Sequence, residues 1–176
     1  MHWVFALLFV LPLDAQQPQP KYNEAGRLLR PEGYREWMFI GANLGMGYSE
    51  NPAVRSSYHN IYMQREAYKH YVKTGEFPEK TMLIMEVITP GTNESINKHG
   101  SFEDKPIGIE VALKDSSKFP DKWAYFNFIG EQGKPLADAG AFRKDQCWSC
   151  HNKHAAVDNV FVQFYPVLRE ARGGKK

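Results

Sequence analysis

The sequence contains few cysteines and no marked excess of charge of one sign. Two of its 176 residues are cysteines, and both lie in one short stretch near the C-terminus, so a network of disulfides does not hold this fold together. Basic and acidic residues number 22 and 20, which leaves a net charge of +2. Without a clustered excess of basic residues, we expect no nucleic-acid partner.

Apolar runs long enough to cross a bilayer are lacking as well. The run WVFALLFVLPL at residues 3–13 has about eleven residues, whereas a membrane-spanning helix needs about 20. Because the small residue Ala15 follows it, the run predicts a signal peptide at residues 1–15. An uncleaved membrane anchor is the alternative, since only His2 precedes the run as a source of positive charge and Leu13 suits the cleavage site poorly.

The rest of the chain is rich in residues that form a core. Hydrophobic residues make up 43% and aromatic residues 14% of the sequence, and the length suits one domain with its own core. We assign that domain to residues 24–170. A polar, proline-containing linker at residues 16–23 precedes it, and a basic tail at residues 171–176 follows it.

Short apolar segments indicate strands instead of a helical bundle. The clearest alternation is in residues 107–114, whose one face carries Ile107, Ile109, Val111 and Leu113. Further strands are predicted at residues 36–42, 58–63, 81–89 and 122–129.

Two segments have helical patterns. Residues 64–73 place their apolar side chains on one side, and Gly75 follows as a C-cap. Residues 147–167 are predicted to be helical up to Pro166, which cannot continue a helix. The sequence therefore predicts an α+β fold, an antiparallel, sheet-rich single domain with a few helices.

The C-terminal helix contains the pentapeptide CWSCH, which matches the C-x-x-C-H signature of c-type haem attachment. Two thiols separated by two residues on a helical turn are placed to add to the two vinyl groups of a porphyrin, and the adjoining histidine projects toward the iron. We therefore predict that Cys147 and Cys150 hold one covalent haem c and that His151 is an axial ligand of its iron. Because haem is attached to this motif outside the cytoplasm, the export signal indicates a bacterial periplasmic protein.

Two other roles of the cysteine pair remain as alternatives. A thioredoxin-like redox dithiol usually follows an early strand in a βαβ pattern, whereas this pair lies near the C-terminus beside a histidine. A zinc site would use Cys147, Cys150, His151 and His154, but these residues lie closer together than the paired ligands of the usual tetrahedral finger.

The segment CWSCHNKHAAVDNVFVQFYPVLR, residues 147–169, resembles the C-terminal signature of the cytochrome P-460 family. Upstream, the segments YREWMFIGANLG, HNIYMQREAYKHYVKTGEFP, EVALKDSSKFP and KWAYFNF resemble segments of that family in the same order. The resemblance extends over residues 24–169 and implies a sheet-rich cytochrome with one covalent haem c. The family includes enzymes that oxidise hydroxylamine and the cytochromes c′-beta, which bind small gases.

One position departs from the hydroxylamine-oxidising members. In those enzymes a lysine followed by a glutamate, on the strand after the TGEFP-like turn, forms an extra covalent link to the porphyrin. The resemblance places Met85 and Glu86 at this pair, and a thioether cannot form that bond. Lys80 lies five positions before Met85 in the turn, and strand alternation directs it to the other face. The departure therefore favours a cytochrome without the cross-link.

Three further residues are candidates for the haem pocket. The resemblance places the strand of His59 on the distal side, where this residue is either an iron ligand or a polar pocket residue. Met85 is either a sulfur ligand of the iron or a packing residue beside the porphyrin. Phe142 either caps the distal face, as aromatic residues do in the cytochromes c′-beta, or packs in the core. Asp138 and Asp145 are the candidate distal bases for hydroxylamine chemistry.

The expected function follows from the motif and the resemblance. We expect a periplasmic cytochrome with one haem c that binds a small diatomic gas such as nitric oxide, or that transfers single electrons to a redox partner. Oxidation of hydroxylamine is the alternative, in which case the protein is a haem oxidoreductase. The resemblance also implies a homodimer as one form of assembly.

Overall fold

The computed structural model describes residues 17–47, 57–96 and 98–171. The predicted signal peptide at residues 1–15 lies outside these ranges, and so does the predicted basic tail apart from Ala171. Within the described ranges, no helix has both the length and the apolar character needed to cross a membrane.

The described residues form a five-stranded antiparallel sheet and a separate pair of short strands. Across the sheet, the order is β2 (Met38–Leu44), β3 (Tyr58–Met63), β4 (Met82–Gly91), β5 (Phe102–Lys114) and β6 (Trp123–Asn127). The short pair consists of β1 (Leu28–Leu29) and β7 (Asp138–Ala139). The helices are α1 (Arg65–Thr74), α2 (Trp148–His154) and α3 (Pro166–Ala171). The prediction of an antiparallel α+β fold is confirmed.

Local sequence accounts for most of these elements. β3 has its predicted bounds, and α1 ends at Thr74, before Gly75 in the left-handed conformation with φ 77°. β4 and β5 are longer than predicted, because Gly91 and Phe102 still pair with each other across the hairpin. Cross-strand pairing, which depends on both strands together, has extended them beyond their apolar cores.

The C-terminal segment differs from the continuous helix predicted at residues 147–167. α2 ends at His154, a tight turn follows, and α3 begins at Pro166. In the turn, Asp158 and Asn159 have positive φ angles of 43° and 62°, which their short polar side chains tolerate. Pro166 begins a helix instead of ending one, because the first residue of a helix needs no hydrogen bond from its N–H.

Side chains alternate between the two faces of the sheet, and each face has its own core. The face that we call the site face bears the buried residues Ile61, Met63, Leu83 and Tyr125. The opposite face, which we call the back face, bears the buried residues Ile84, Ile109, Val111 and Phe126. Each face of the sheet therefore carries a cluster of buried apolar side chains.

Two packing contacts hold the helices against the site face. After α1, Phe77 stacks on the ring of Tyr71 with 4.5 Å between the centroids, and it contacts Trp123 of β6 edge to face. Before α3, the side chain of Tyr165 lies against Gly41 of β2, where an added Cβ would approach it to 3.0 Å. Gly41 therefore allows the C-terminal segment to lie close to the sheet.

A polar cluster on the back face fixes the orientation of the central strand. Glu86 of β4 is 2% exposed, and the Tyr34 hydroxyl donates a hydrogen bond of 2.7 Å to its carboxylate. The Arg35 guanidinium forms an ion pair with the same carboxylate, with Nε at 3.0 Å. Because a buried carboxylate requires such partners, Glu86 is held on the back face, and Met85 next to it must face the other way.

The described part of the predicted linker, residues 17–23, lies against the domain. The Gln17 side-chain amide donates to the Lys80 carbonyl at 3.0 Å, and the Gln64 amide donates to the Pro18 carbonyl at 3.1 Å. These contacts attach the segment to the turn that precedes β4 and to the start of α1.

Candidate haem site

The centre of the site face is only partly covered. β4 is the middle strand of the sheet, and residues 81–88 are all buried except Met85. Met85 pairs with Glu110 of β5, which in turn pairs with Asn127 of β6. All three residues are partly exposed. We call Met85, Glu110 and Asn127 the central row, a partly exposed row in the middle of the site face.

Glu110 is an acidic residue in a desolvated position. Burial raises the pKa of its carboxyl group above the ordinary value. The pKa of the Cys147 thiol is also raised, first by burial and then by the negative charge of Glu110. Cys147 packs against the same apolar cluster as Met85 of the central row, so the first cysteine of the motif lies on the site face.

Helix α2 presents the cysteine motif to this region. Cys147 immediately precedes the helix and Cys150 lies in its first turn, and both are free, partly exposed thiols. Cys147, Trp148 and Phe142 pack against the same apolar cluster of the site face as Met85 does. The fold thus brings together the motif and two of the three candidate pocket residues, Met85 and Phe142.

His151 is held in one orientation by a hydrogen bond and two aromatic rings. Its Nδ1–H donates to the Asn159 carbonyl at 2.9 Å. The rings of Tyr125 and Phe161 lie against it, with centroid distances of 4.3 and 4.6 Å. Burial lowers the pKa of His151, so its ring is neutral at pH 7. With the proton on Nδ1, the free electron pair is on Nε2, the atom that would ligate iron.

These residues fit a c-type haem. The two free thiols have the required spacing, the neutral imidazole offers Nε2, and the central row is flanked by apolar and aromatic side chains. Cys147, Cys150 and His151 are the residues that would hold the group. Within residues 17–47, 57–96 and 98–171, no group of three or more His, Cys, Asp or Glu is arranged to hold a metal ion. The zinc alternative therefore lacks a ligand set there, and His154 is exposed.

His59 lies on the site face, next to the central row. It pairs with Val87, while Ile61, two positions further along β3, pairs with Met85. Its Nε2 is hydrogen-bonded to the Ser57 hydroxyl at 2.9 Å. Burial lowers the pKa of His59, so this ring is also neutral at pH 7. One of the two ring nitrogens of His59 is thus already hydrogen-bonded to Ser57, which directly precedes β3.

Three other residues considered from the sequence lie away from the central row. Lys80 forms an ion pair in the turn before β4, with Asp115 at the end of β5. Asp138 forms an ion pair with Arg27 beside the two-stranded sheet. Asp145 is exposed and forms an ion pair with a neighbour two positions before it. Both aspartates therefore form ion pairs with other residues. Among the described residues, the carboxyl group of Glu110 forms no such ion pair.

Sequence reasoning missed Glu110, Tyr125 and Asn159. Glu110 lies between Ile109 and Val111 in β5 and on the opposite face from them, and an acidic residue at such a position is ordinarily interpreted as solvent-exposed. The only sequence signal was the alternation along β5, which shows on which face Glu110 lies. Alternation does not show which residues pack over that face. Asn159 lay inside a segment that was predicted to be helical, so its turn was not expected.

The family model of cytochrome P-460 matches residues 31–162 of the chain. No curated protein matches its sequence. The matched range includes the five-stranded sheet, the central row and the haem motif. The family is one of c-type cytochromes and implies haem c, with its iron, as the cofactor. Since the match covers more than half of the chain, the protein belongs to the cytochrome P-460 family.

Proposed function

We propose that the protein is an exported bacterial cytochrome whose single covalent haem c binds a small diatomic gas such as nitric oxide. In this proposal Cys147 and Cys150 hold the haem through two thioether bonds, and His151 ligates its iron through Nε2. The observation that carries the proposal is the partly exposed central row in the middle of the site face, whose Met85 packs against the same apolar cluster as Cys147. Such a row provides a surface against which a flat, largely apolar group can lie.

The surroundings of the central row suit a small uncharged ligand. The Met85 thioether and the Phe142 ring belong to the same apolar cluster, and the Nε2 of His59 is bonded to Ser57. Nε2 of His59 is therefore already hydrogen-bonded and would not be free to ligate the iron. Because pocket polarity and access decide what a haem iron does, these residues support gas binding. The same haem can pass single electrons to a redox partner.

Oxidation of hydroxylamine is a second candidate, and Glu110 favours it. A carboxyl group with a raised pKa is a better proton acceptor than an ordinary glutamate. It would serve as the distal base that neither Asp138 nor Asp145 is positioned to provide. Met85 counts against this candidate, because the resemblance places it where the hydroxylamine-oxidising members have their cross-linking lysine. We therefore favour gas binding over hydroxylamine oxidation.

The test uses the full chain, expressed with the machinery that attaches c-type haem. Intact mass and absorption spectra are measured in the ferric and ferrous states, with and without carbon monoxide and nitric oxide. We expect the mass of one haem, an ordinary c-type spectrum, and saturable spectral shifts with both gases. A double variant, Cys147→Ala with Cys150→Ala, is the matched control and should carry no covalent haem. A haem-loaded chain that responds to neither gas would contradict gas binding.

The two candidate functions, gas binding and hydroxylamine oxidation, differ in whether the protein consumes hydroxylamine. Wild-type protein is incubated with hydroxylamine and an electron acceptor, and loss of hydroxylamine is followed beside the Glu110→Gln variant. We expect no catalytic loss in either protein. Turnover by the wild type that disappears in Glu110→Gln, at equal haem content, would put hydroxylamine oxidation in first place.

A further inference from the structure

The carbonyl oxygen of Asn159 accepts hydrogen bonds from two side chains. His151 Nδ1–H donates to it at 2.9 Å, and the Tyr125 hydroxyl donates to it at 3.3 Å. A carbonyl oxygen has two lone pairs, so both bonds can form together. The histidine of the haem motif and a tyrosine of β6 are therefore joined through one acceptor.

Tyr125 is well suited to remain a donor in this arrangement. It is 6% exposed, and a phenol hydroxyl is protonated and able to donate at neutral pH. A buried hydroxyl requires a hydrogen-bond partner, and the Asn159 carbonyl is its partner among the described residues. Because the Tyr125 ring also lies against His151, neither side chain can move away without disturbing the other.

The acceptor is held in place by the turn that contains it. Val160 N–H donates to the Val157 carbonyl at 2.7 Å and closes the turn. Lys114 Nζ lies 2.7 Å from the Asp158 carboxylate and 2.7 Å from the Phe77 carbonyl, which ties the turn to β5. Since the turn is anchored on both sides, the Asn159 carbonyl stays in reach of both donors.

We propose that the Tyr125 hydroxyl is a positioning group that weakens the hydrogen bond from His151 to the Asn159 carbonyl, and thereby limits how strongly His151 donates electrons to the haem iron. A histidine that donates a strong hydrogen bond from Nδ1 carries more negative charge on its ring and binds iron more tightly. A second donor on the same oxygen withdraws electron density from it, which weakens the first bond. The tyrosine bond is the longer of the two, so its effect is a modulation.

This inference rests on the proposed haem and on His151 as its ligand, but not on which gas the haem binds. The variant Tyr125→Phe removes the hydroxyl and keeps the ring that packs against His151. The iron–histidine stretching band of the ferrous protein is measured by resonance Raman spectroscopy, and the midpoint potential by redox titration. We expect the band to move to higher wavenumber and the potential to fall, because the stronger ligand favours ferric iron.

Tyr22→Phe is the matched control, since Tyr22 packs against the back-face core and its hydroxyl donates to Asp115, away from the haem motif. It should leave both the band and the potential at their wild-type values. An unchanged band and potential in Tyr125→Phe, or shifts in the reverse directions, would overturn this inference alone. A wild-type chain whose mass shows no haem would overturn the proposed function and this inference together.

Discussion

Met85 and Glu110 lie directly opposite each other on adjacent strands, and both are partly exposed, although every other residue from 81 to 88 around Met85 is buried. A thioether and a carboxyl group thus lie side by side on the site face, against which the first cysteine of the haem motif also packs. Glu86, held on the back face by Tyr34 and Arg35, maintains the register that turns Met85 toward the site face.

Met85→Lys tests the position of the missing cross-link. We expect this variant to form an extra bond to the porphyrin after treatment with peroxide, because it places an amine where the hydroxylamine-oxidising relatives carry their lysine. The measurement is a red shift of the Soret band, with the linked peptide identified by mass. Met85→Gln has a similar length without the nucleophilic amine and should show no shift. A link formed at any other position would contradict this placement of Met85.

His59→Ala tests whether the position opposite His151 is open. We expect the ferric and ferrous spectra to stay close to those of the wild type, because one ring nitrogen of His59 is already bonded to Ser57. The His151→Ala variant, measured beside it, should lose the wild-type spectrum, since it removes the iron ligand itself. If instead His59→Ala changed a low-spin spectrum into a high-spin one, His59 would be the sixth ligand.

Leu113→Ala tests the contribution of the back-face core. Leu113 is fully buried, so truncation should lower the free energy of unfolding by about 2–5 kcal/mol. Leu44→Ala is the control, because Leu44 is 52% exposed and its loss should cost less than about 0.5 kcal/mol. Both values come from urea unfolding followed by circular dichroism. Equal losses in the two variants would contradict the assignment of the core.

Asp115 makes stability depend on acid pH. Burial alone raises the pKa of Asp115, but hydrogen bonds from Lys80 and Ser117 outweigh burial and hold the pKa below its ordinary value. Its contribution is therefore complete above the unfolded-state pKa of about 3.9 and is lost as the pH falls through the lower folded-state pKa. Asp115→Asn should lower the free energy of unfolding at pH 7 and reduce its slope against pH below about pH 4.

The control for this pH dependence is Asp145→Asn. Asp145 is exposed, and its ion pair with Arg143 lies in solvent, so its loss should change stability little. The measurement is the urea midpoint of each protein at several pH values between about 3 and 7. An Asp115→Asn variant with the wild-type slope would show that other carboxyl groups govern the acid response.

Local sequence patterns predicted the elements that have a clear apolar periodicity or a capping residue of their own. β3 was predicted with its correct bounds, and the end of α1 followed from Gly75. The single helix predicted at residues 147–167 was wrong, because nothing in its apolar pattern shows that Asp158 and Asn159 turn the chain. Lys114, distant in sequence, binds Asp158 and holds that turn against β5.

The sequence by itself determined the haem motif, the family and the alternation of the strands, because each depends on residues close together in the chain. Only the tertiary structure decided which groups surround the motif. It placed Glu110 opposite Met85 on the site face, and it placed Asp138 and Asp145 in ion pairs elsewhere. It also placed the Asn159 carbonyl where His151 and Tyr125 share it. The physical reason is that these contacts depend on strand register and on the anchoring of a turn, which join segments far apart in the chain and leave no local pattern.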